Sequence, residues 1–295
     1  MFGRRRDKPP RPAPQWTREK MLALLVAGGL TGLILLFGLG LAVAYTLQPN
    51  HPAAAHGGAG STTSTITSGE GHQPGRPSGR GQSTQDAQDA LAARPMPQVD
   101  DSASHPSPVT ATSPGALIAV PPATRVGPDG VPTGYPHTVE GALAQLAAID
   151  QVAMQSGSVG TARDLIDHWA IPGGPTGSTW SGVQVLQSLL TDAASSSTGQ
   201  LAIVLTPLMG EVKGTVGPDF VIPCVDFELD VTVAQTARGA VADCQRMVWQ
   251  PDANAGPAGG RWMVGPGAEP ATPPSVWPDT DVAISVGYRD LRRAH

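Results

Sequence analysis

The feature that most constrains this chain is residues 21–47, a run of 27 residues without a charged side chain. An α-helix of about 20 residues spans the hydrocarbon core of a bilayer, where the backbone must satisfy its own hydrogen bonds. The run therefore predicts one transmembrane helix. A cleaved signal peptide is the alternative, because Ala42, Val43 and Ala44 form a small-residue pattern that signal peptidase accepts. The apolar region of a signal peptide is usually only about 7 to 15 residues long.

Charge on either side of this run predicts its orientation. Residues 1–20 carry seven basic and two acidic side chains, a net of +5, and the whole chain carries −5, so the rest of the chain carries −10. Basic flanks are retained on the cytoplasmic side of a membrane. We therefore expect a plasma-membrane protein that crosses the lipid bilayer once, with a basic cytoplasmic N-terminus and an extracytoplasmic C-terminal part.

Two glycines inside the predicted membrane helix are candidates for a helix–helix contact. Gly28 and Gly32 are four residues apart, and small residues at this spacing let two membrane helices approach closely. The pair is a candidate site for homo-oligomerisation, although glycine is common in membrane helices in general.

Residues 48–136 are rich in Gly, Pro, Ser, Thr and Ala and show no apolar periodicity. Such a segment buries too little apolar surface to offset the loss of chain entropy on folding. It predicts a disordered linker between the membrane helix and a folded domain. Its one apolar patch, residues 116–120, is a candidate partner-binding segment, and a plain spacer is the simpler interpretation.

Residues 137–295 form the predicted folded domain, which is long enough for one domain with its own core. They carry eight basic and sixteen acidic side chains, a net of −8. Direct binding of nucleic acid is not expected of so acidic a domain, because its affinity for phosphate depends on lysine and arginine.

Three amphipathic helices are predicted at the start of this domain. Thr138 can cap the first, whose apolar residues step by three and four. Ser158 or Thr161 can cap the second, which ends before Pro172. The third begins near Ser181 and ends before the serines at 195–197.

The apolar period then changes to two, which predicts strands. A short run covers residues 201–205, and a strictly alternating strand follows Pro218. A turn is predicted at residues 236–239, with a returning strand at 240–249 and another at 261–264. Residues 279–293 are predicted as a final helix capped by Asp279 or Thr280, although the residues in this segment that also alternate include Val282, Ile284, Val286 and Tyr288. Helices followed by antiparallel strands predict an α+β fold with helices on one face of the sheet.

The overall layout resembles the bitopic membrane subunits of conjugative and type IV secretion machines, whose outer domain has the cone-shaped fold of the nuclear transport factor two superfamily. Local strings also resemble membrane proteins encoded on actinobacterial mobile elements: GALAQLAAID at 141–150, ADCQRMVW at 242–249, GRWM at 260–263 and GYRDLRR at 287–293. The resemblance implies three helices packed on a curved sheet, and a scaffold that assembles with other membrane-complex subunits rather than an enzyme.

The sequence predicts no cofactor, no bound metal and no enzyme, since it lacks zinc-type spacing, a phosphate-binding loop and a nucleophile elbow. The best enzymatic candidate is the row Asp226, Glu228 and Asp230, because alternate carboxylates on a strand can share protons or hold a cation. A solvated outer face explains the row as well. If Asp226 or His168 lined a closed cone, hydrolase or isomerase chemistry would become conceivable. A small-ligand-binding or hydrolytic domain is therefore the alternative function, and an envelope transport accessory protein is a third.

Cys224 and Cys244 lie in the part of the chain predicted to be exported, where disulfides persist. They share strand parity, so they can face each other across a hairpin. Directly opposed cysteines need a hairpin centred on residue 234, whereas the predicted turn is centred near residue 237. We expect a structural disulfide, with two buried thiols as the alternative.

Overall fold

The computed structural model describes residues 79–109, 115–196, 201–252 and 259–294. The basic segment 1–20, the predicted membrane helix with Gly28 and Gly32, and the first part of the predicted linker lie outside these ranges and remain predictions. Of the helices within the described ranges, not one combines the length and the apolar character needed to cross a bilayer.

The described part of the predicted linker contains regular structure. Its elements are α1 (Gly79–Ala93), a 3₁₀ turn (Asp101–Ser104), β1 (Ile118–Val120), β2 (Arg125–Val126), a second 3₁₀ turn (Pro128–Gly130) and β3 (Pro132–Thr133). The prediction that the linker is disordered up to residue 136 is therefore wrong for this part. Its buried apolar residues, such as Ala92 and Met96, are isolated in the sequence and pack against residues that are distant in sequence. They therefore leave no periodic pattern.

The three predicted helices are confirmed as α2 (Val139–Gln155), α3 (Val159–Trp169) and α4 (Ser181–Ser196). The Thr138 hydroxyl accepts a hydrogen bond from the Gly141 N–H at 3.1 Å and caps α2. Ser158, rather than Thr161, caps α3, since its hydroxyl accepts from the Thr161 N–H at 3.2 Å. Each cap satisfies one of the backbone donors that a helix N-terminus leaves without an intrahelical partner.

The main sheet is curled and mostly antiparallel, so the predicted α+β class is confirmed. Its strand order is β1-β9-β4-β5-β7-β8, with β6 also paired to β5, and among the strands of the described residues β1 and β9 pair in parallel while the others pair antiparallel. The remaining strands are β4 (Ala202–Thr215), β5 (Phe220–Thr232), β6 (Thr236–Cys244), β7 (Met247–Pro251), β8 (Gly260–Val264) and β9 (Arg289–Arg293).

Two local predictions about this sheet are wrong. The helix predicted at 279–293 is only the short α5 (Asp281–Ser285), capped by Thr280, and β9 follows it. Gly287 has φ +116°, which ends the helix because L residues rarely adopt this conformation. The turn predicted at 236–239 lies earlier, at residues 233–235, because Gly239 is an extended residue paired with Leu229.

Both faces of the sheet are covered. The helical face packs against α2, α3 and α4, and its largest buried side chains include Leu143, Leu146, Ile149, Leu165, Trp169, Trp180, Phe227 and Trp262. The outer face has a second core, built from Met209, Phe220, Ile222, Cys224, Cys244, Val276 and Tyr288. Residues 89–105, which we call the strap, and residues 265–277, which we call the segment after β8, cover this outer face.

Candidate functional site

The predicted acidic row on β5 does not form one site. Asp226 is fully buried on the outer face, where its Oδ1 accepts from the Val276 N–H at 3.4 Å and its Oδ2 has no hydrogen-bond partner. The other two carboxylates bind Arg238 of β6, whose Nε lies 2.9 Å from Glu228 Oε1 and 3.1 Å from Asp230 Oδ1. The interpretation as a solvated row is therefore wrong for Asp226. Within the described ranges, no group of three or more potential ligands is arranged to hold a metal ion.

Neither residue that could have lined the interior of a cone does so. Asp226 faces the side of the sheet opposite the helices, and its burial raises the pKa of its carboxyl well above the usual value. His168 is exposed on α3, and its Nδ1 lies 2.8 Å from Asp129 Oδ2. The condition for hydrolase or isomerase chemistry at these two residues is therefore not met.

The predicted disulfide between Cys224 and Cys244 is confirmed. The two residues are direct cross-strand partners on β5 and β6, with Cα atoms 4.1 Å apart. This pairing requires the hairpin centre at residue 234, which the Thr232–Thr236 pair provides. The disulfide lies within the outer-face core and fixes the register between β5, which carries the acidic row, and β6, which carries Arg238.

A second group of carboxyls, which the sequence analysis did not single out, lies on the helical face. Asp150 of α2 is 5% exposed. Asp243 of β6 is the partner of core residue Val225, so its side chain also points to the helical face. Glu269 follows β8. Asp243 and Glu269 are partly exposed, so this group, which we call the carboxyl cluster, runs from the surface into the core.

Hydrogen bonds join members of the carboxyl cluster to neighbouring elements. Buried Gln245 donates through Nε2 to both carboxylate oxygens of Asp243, at 3.1 and 3.0 Å, and also bonds Glu269. Glu269 Oε1 accepts from the Ser181 N–H at 2.9 Å, at the N-terminus of α4. Asp150 Oδ2 has no hydrogen-bond partner. A helix N-terminus favours an ionised carboxylate, so Glu269 is the best placed of the three to carry the negative charge.

Burial raises the pKa of each of these carboxyls. The pKa of Asp150 lies well above its usual value because of burial first and the charges of Asp243 and Glu269 second. Burial and the Glu269 charge raise the pKa of Asp243 to about 7. Burial also raises the pKa of Glu269, although its hydrogen bonds to Ser181 and Gln245 oppose this. Among the described residues, no lysine or arginine forms an ion pair with any of the three. The cluster can therefore exchange protons near neutral pH.

The surroundings of the carboxyl cluster are densely packed. Trp169, Trp180 and Trp262 are at most 1% exposed and fill the layer between the sheet and the helices. A surface depression in the described part of the chain is lined by residues of α4 alone, namely Gln184, Gln187, Ser188, Thr191 and Asp192. It is a shallow feature of one helix surface rather than a cleft between elements.

One sequence signal could have identified the carboxyl cluster. Asp150 follows Leu143 and Leu146 at intervals of seven and four residues, so it occupies the apolar stripe of α2. Asp243 likewise shares strand parity with Val241, which packs against the core. A charged residue on an apolar stripe indicates either a buried polar network or a site. Comparison of the chain with protein-family models, with curated proteins and with solved structures gave no match.

Proposed function

We propose that this chain is a single-pass membrane protein whose extracytoplasmic α+β domain is an assembly module, acting as a scaffold subunit of a bacterial conjugation or secretion apparatus. The observation that carries the proposal is the uncharged run at 21–47, placed between a segment of net charge +5 and a remainder of net charge −10. A run of this length with this charge asymmetry is typical of a membrane anchor with its N-terminus in the cytoplasm.

The architecture of the domain supports a role in assembly. Three helices pack on a curled sheet, which is the arrangement expected of a cone-shaped, nuclear transport factor two-like outer domain. In such a fold the space between helices and sheet is where a small ligand would bind, and here tryptophans and other large side chains fill it. A domain whose interior is occupied by its own side chains acts through its surface, so we propose protein contacts rather than catalysis.

A candidate contact surface lies at the far end of the outer face. Val204 of β4 is 48% exposed, and its cross-strand partner is Asp230. Arg238 and Glu228 lie beside them on the same face. A mixture of exposed apolar and charged side chains is typical of non-obligate protein interfaces. The acidic charge of the domain implies that any contact with transferred DNA is made by partner proteins.

Membrane topology is tested by adding protease to intact spheroplasts that express the full-length chain with an N-terminal epitope. We expect loss of the C-terminal domain and retention of a small membrane fragment that carries the epitope. Lysed spheroplasts, in which the epitope is also digested, provide the control. A protected C-terminal domain, or a mature chain that begins near Tyr45, would contradict the proposed anchor.

Assembly is tested with a photo-crosslinking amino acid at position 204 in the full-length chain, expressed in its native host. We expect covalent adducts with a second copy or with subunits of the same membrane complex, identified by mass spectrometry. The matched control carries the same amino acid at position 164, an exposed aspartate of α3. Equal adducts at both positions, or adducts with abundant unrelated proteins only, would contradict the proposed contact surface.

A further inference from the structure

The carboxyl cluster connects three parts of the fold that are distant in sequence. Asp150 belongs to α2, Asp243 to β6, and Glu269 to the segment after β8. Through the Ser181 N–H, Glu269 also joins this segment to the N-terminus of α4. Any change in the charge of the cluster therefore acts on the packing of α2, α4, β6 and the segment after β8 at once.

The buried part of the cluster lacks the groups that would stabilise ionised carboxylates. Asp150 has one carboxyl oxygen without a partner, and Gln245, which bonds Asp243, is uncharged and 1% exposed. Neighbouring carboxylates without an ion-pair partner among the described residues repel one another when they are all ionised. Repulsion and burial therefore favour a cluster in which at least one aspartate holds a proton.

We propose that Asp150, Asp243 and Glu269 form a proton-controlled latch: a protonated cluster holds the segment after β8 against α4, and an ionised cluster releases it. Protons are the ligand of this site. Glu269 remains the charged cap of α4, and the two aspartates are the groups that gain and lose protons. The proposal concerns the described domain alone and stands independently of the proposed membrane function.

Release of the segment after β8 would also affect contacts on the outer face of the sheet. Gly267 donates its N–H to the Gly173 carbonyl at 2.9 Å, beside the loop that precedes α4. Four residues later, Ala271 donates its N–H to the Ala92 carbonyl of the strap, also at 2.9 Å. The segment therefore bonds the helical layer at one end and the strap at the other, so opening at Glu269 should loosen the strap as well.

The charges of neighbouring carboxylates raise the pKa values of both aspartates, those of Asp243 and Glu269 acting on Asp150 and that of Glu269 acting on Asp243, in each case after burial. The guanidinium of Arg246 lies beside Gly267 of the segment after β8, but it pairs with Asp89 rather than with the cluster. Tyr288 of the outer face also feels the charge of Asp243, and with burial as the main cause its pKa is raised well above 10. Since these shifts are upward, ionisation occurs at higher pH than in the unfolded chain, and the latch should weaken as pH rises through about 7, where Asp243 titrates.

The test is hydrogen–deuterium exchange of the full-length chain in detergent, at about pH 5 and about pH 8, with rates corrected for the intrinsic pH effect. One pKa unit of coupling corresponds to a tenfold change in an opening equilibrium. For wild type we expect protection of residues 265–271 and of the first turn of α4 to fall about tenfold or more at the higher pH. For Asp150→Asn combined with Asp243→Asn, we expect equal protection at both pH values.

Asp164→Asn, on the exposed face of α3, is the matched control and should keep the wild-type pH response. Carbon NMR titration of the aspartate carboxyls in the wild-type chain is the second measurement, and it does not depend on a variant that folds. Midpoints for Asp150 and Asp243 above the usual range support the latch. Protection that is the same at both pH values in wild type, or a pH response that survives in the double variant, would overturn it.

Discussion

The two faces of the sheet bury different sets of charged groups. The helical face buries carboxyls without a cation among the described residues. The outer face buries two cations, Lys213 and Arg246, and the strap provides their partners. Lys213 Nζ donates to the Ala92 carbonyl at 2.7 Å, and Arg246 Nη2 donates to Asp89 Oδ1 at 2.7 Å. Both faces are therefore expected to respond to pH, since burial also raises the pKa of Asp226 on the outer face, and the outer face is expected to respond to displacement of the strap as well.

The two faces also differ in the kind of chain that covers them. Regular helices cover the helical face, each with several fully buried apolar side chains. Residues 84–90, in the helix that leads into the strap, are exposed or half-buried, and the strap has only a few buried residues, Ala92, Met96 and Ser104 among them. Segments with few buried contacts open at lower free energy than the core. We therefore expect global unfolding to be governed by the helical face and local opening by the strap.

The largest effect is expected from a cavity on the helical face. Phe227 is 1% exposed and packs in the core between β5 and the helices. Phe227→Ala should lower the free energy of unfolding by about 3 to 5 kcal/mol, because it removes buried apolar surface and leaves a cavity. Urea unfolding of the full-length chain, followed by tryptophan fluorescence, measures this change. Val126→Ala, at a 74% exposed position, is the control, and an equal shift in both variants would contradict the importance of this core.

Removal of the disulfide should have the next largest effect. Cys224 and Cys244 are 20 residues apart in sequence, and a cross-link of this span stabilises by about 3 kcal/mol, chiefly by restricting the unfolded chain. The double variant Cys224→Ala and Cys244→Ala should lower the urea midpoint accordingly. A reducing agent added to unfolded wild-type protein should reproduce the shift on refolding. An unchanged midpoint in both experiments would show that the bond contributes little to stability.

Elements that cover the helical face could be predicted from the sequence better than elements that cover the outer face. The three helices, their caps at Thr138 and Ser158, and the strand after Pro218 were predictable, because each has local periodicity or a local capping residue. The strap was not predictable, since Met96 is isolated in an otherwise polar sequence and gains its partners only through long-range contacts. The same holds for β9, since the cap candidates Asp279 and Thr280 favoured one helix over the whole segment that contains it.

The candidate sites likewise divide into one that local sequence patterns predict and others that depend on long-range contacts. The disulfide was predictable from strand parity and the predicted export of this part of the chain. The hairpin turn was predicted near residue 237, whereas its centre lies at residue 234 and Gly239 is part of β6. The carboxyl cluster was missed because its members come from three elements, and no local motif joins Asp150 to Glu269. Burial of Asp226 was missed because alternation identifies two faces of a strand but does not say what covers the polar one.

A pH effect of intermediate size is expected from Asp243 on the helical face. The raised pKa of Asp243, about 7, means that the folded chain binds more protons than the unfolded chain between about pH 4 and pH 7. Its stabilising contribution is therefore complete at or below about pH 4 and is lost as pH rises through 7. Asp243→Asn should raise stability near pH 8 by about 1 to 2 kcal/mol, a figure reduced for its partial exposure. Urea midpoints of both chains across this range measure it, and a parallel pH dependence would contradict the assignment.

A smaller, local effect is expected at the strap. Asp89→Asn leaves the buried guanidinium of Arg246 without its carboxylate, so residues 89–105 should exchange amide protons several-fold faster. Since Asp89 is half exposed and the amide oxygen of the asparagine can still accept a hydrogen bond from the Arg246 guanidinium, the global free energy of unfolding should change by less than about 1 kcal/mol. Asp86→Asn, at an exposed position on the same helix, is the control. A large loss of global stability would mean that the strap and the sheet unfold as one unit.

The smallest effect is expected where the acidic row is exposed. Arg238 bonds Glu228 and Asp230 and lies over the Trp277 ring at 5.2 Å, but exposed ion pairs contribute little to stability because water and salt screen them. Arg238→Gln should therefore leave the urea midpoint unchanged, and addition of Ca²⁺ should not shift the NMR signals of either carboxylate. If Ca²⁺ shifts both signals once the arginine is removed, the row is a cation site that Arg238 occupies, and the outer face then has a ligand-binding function of its own.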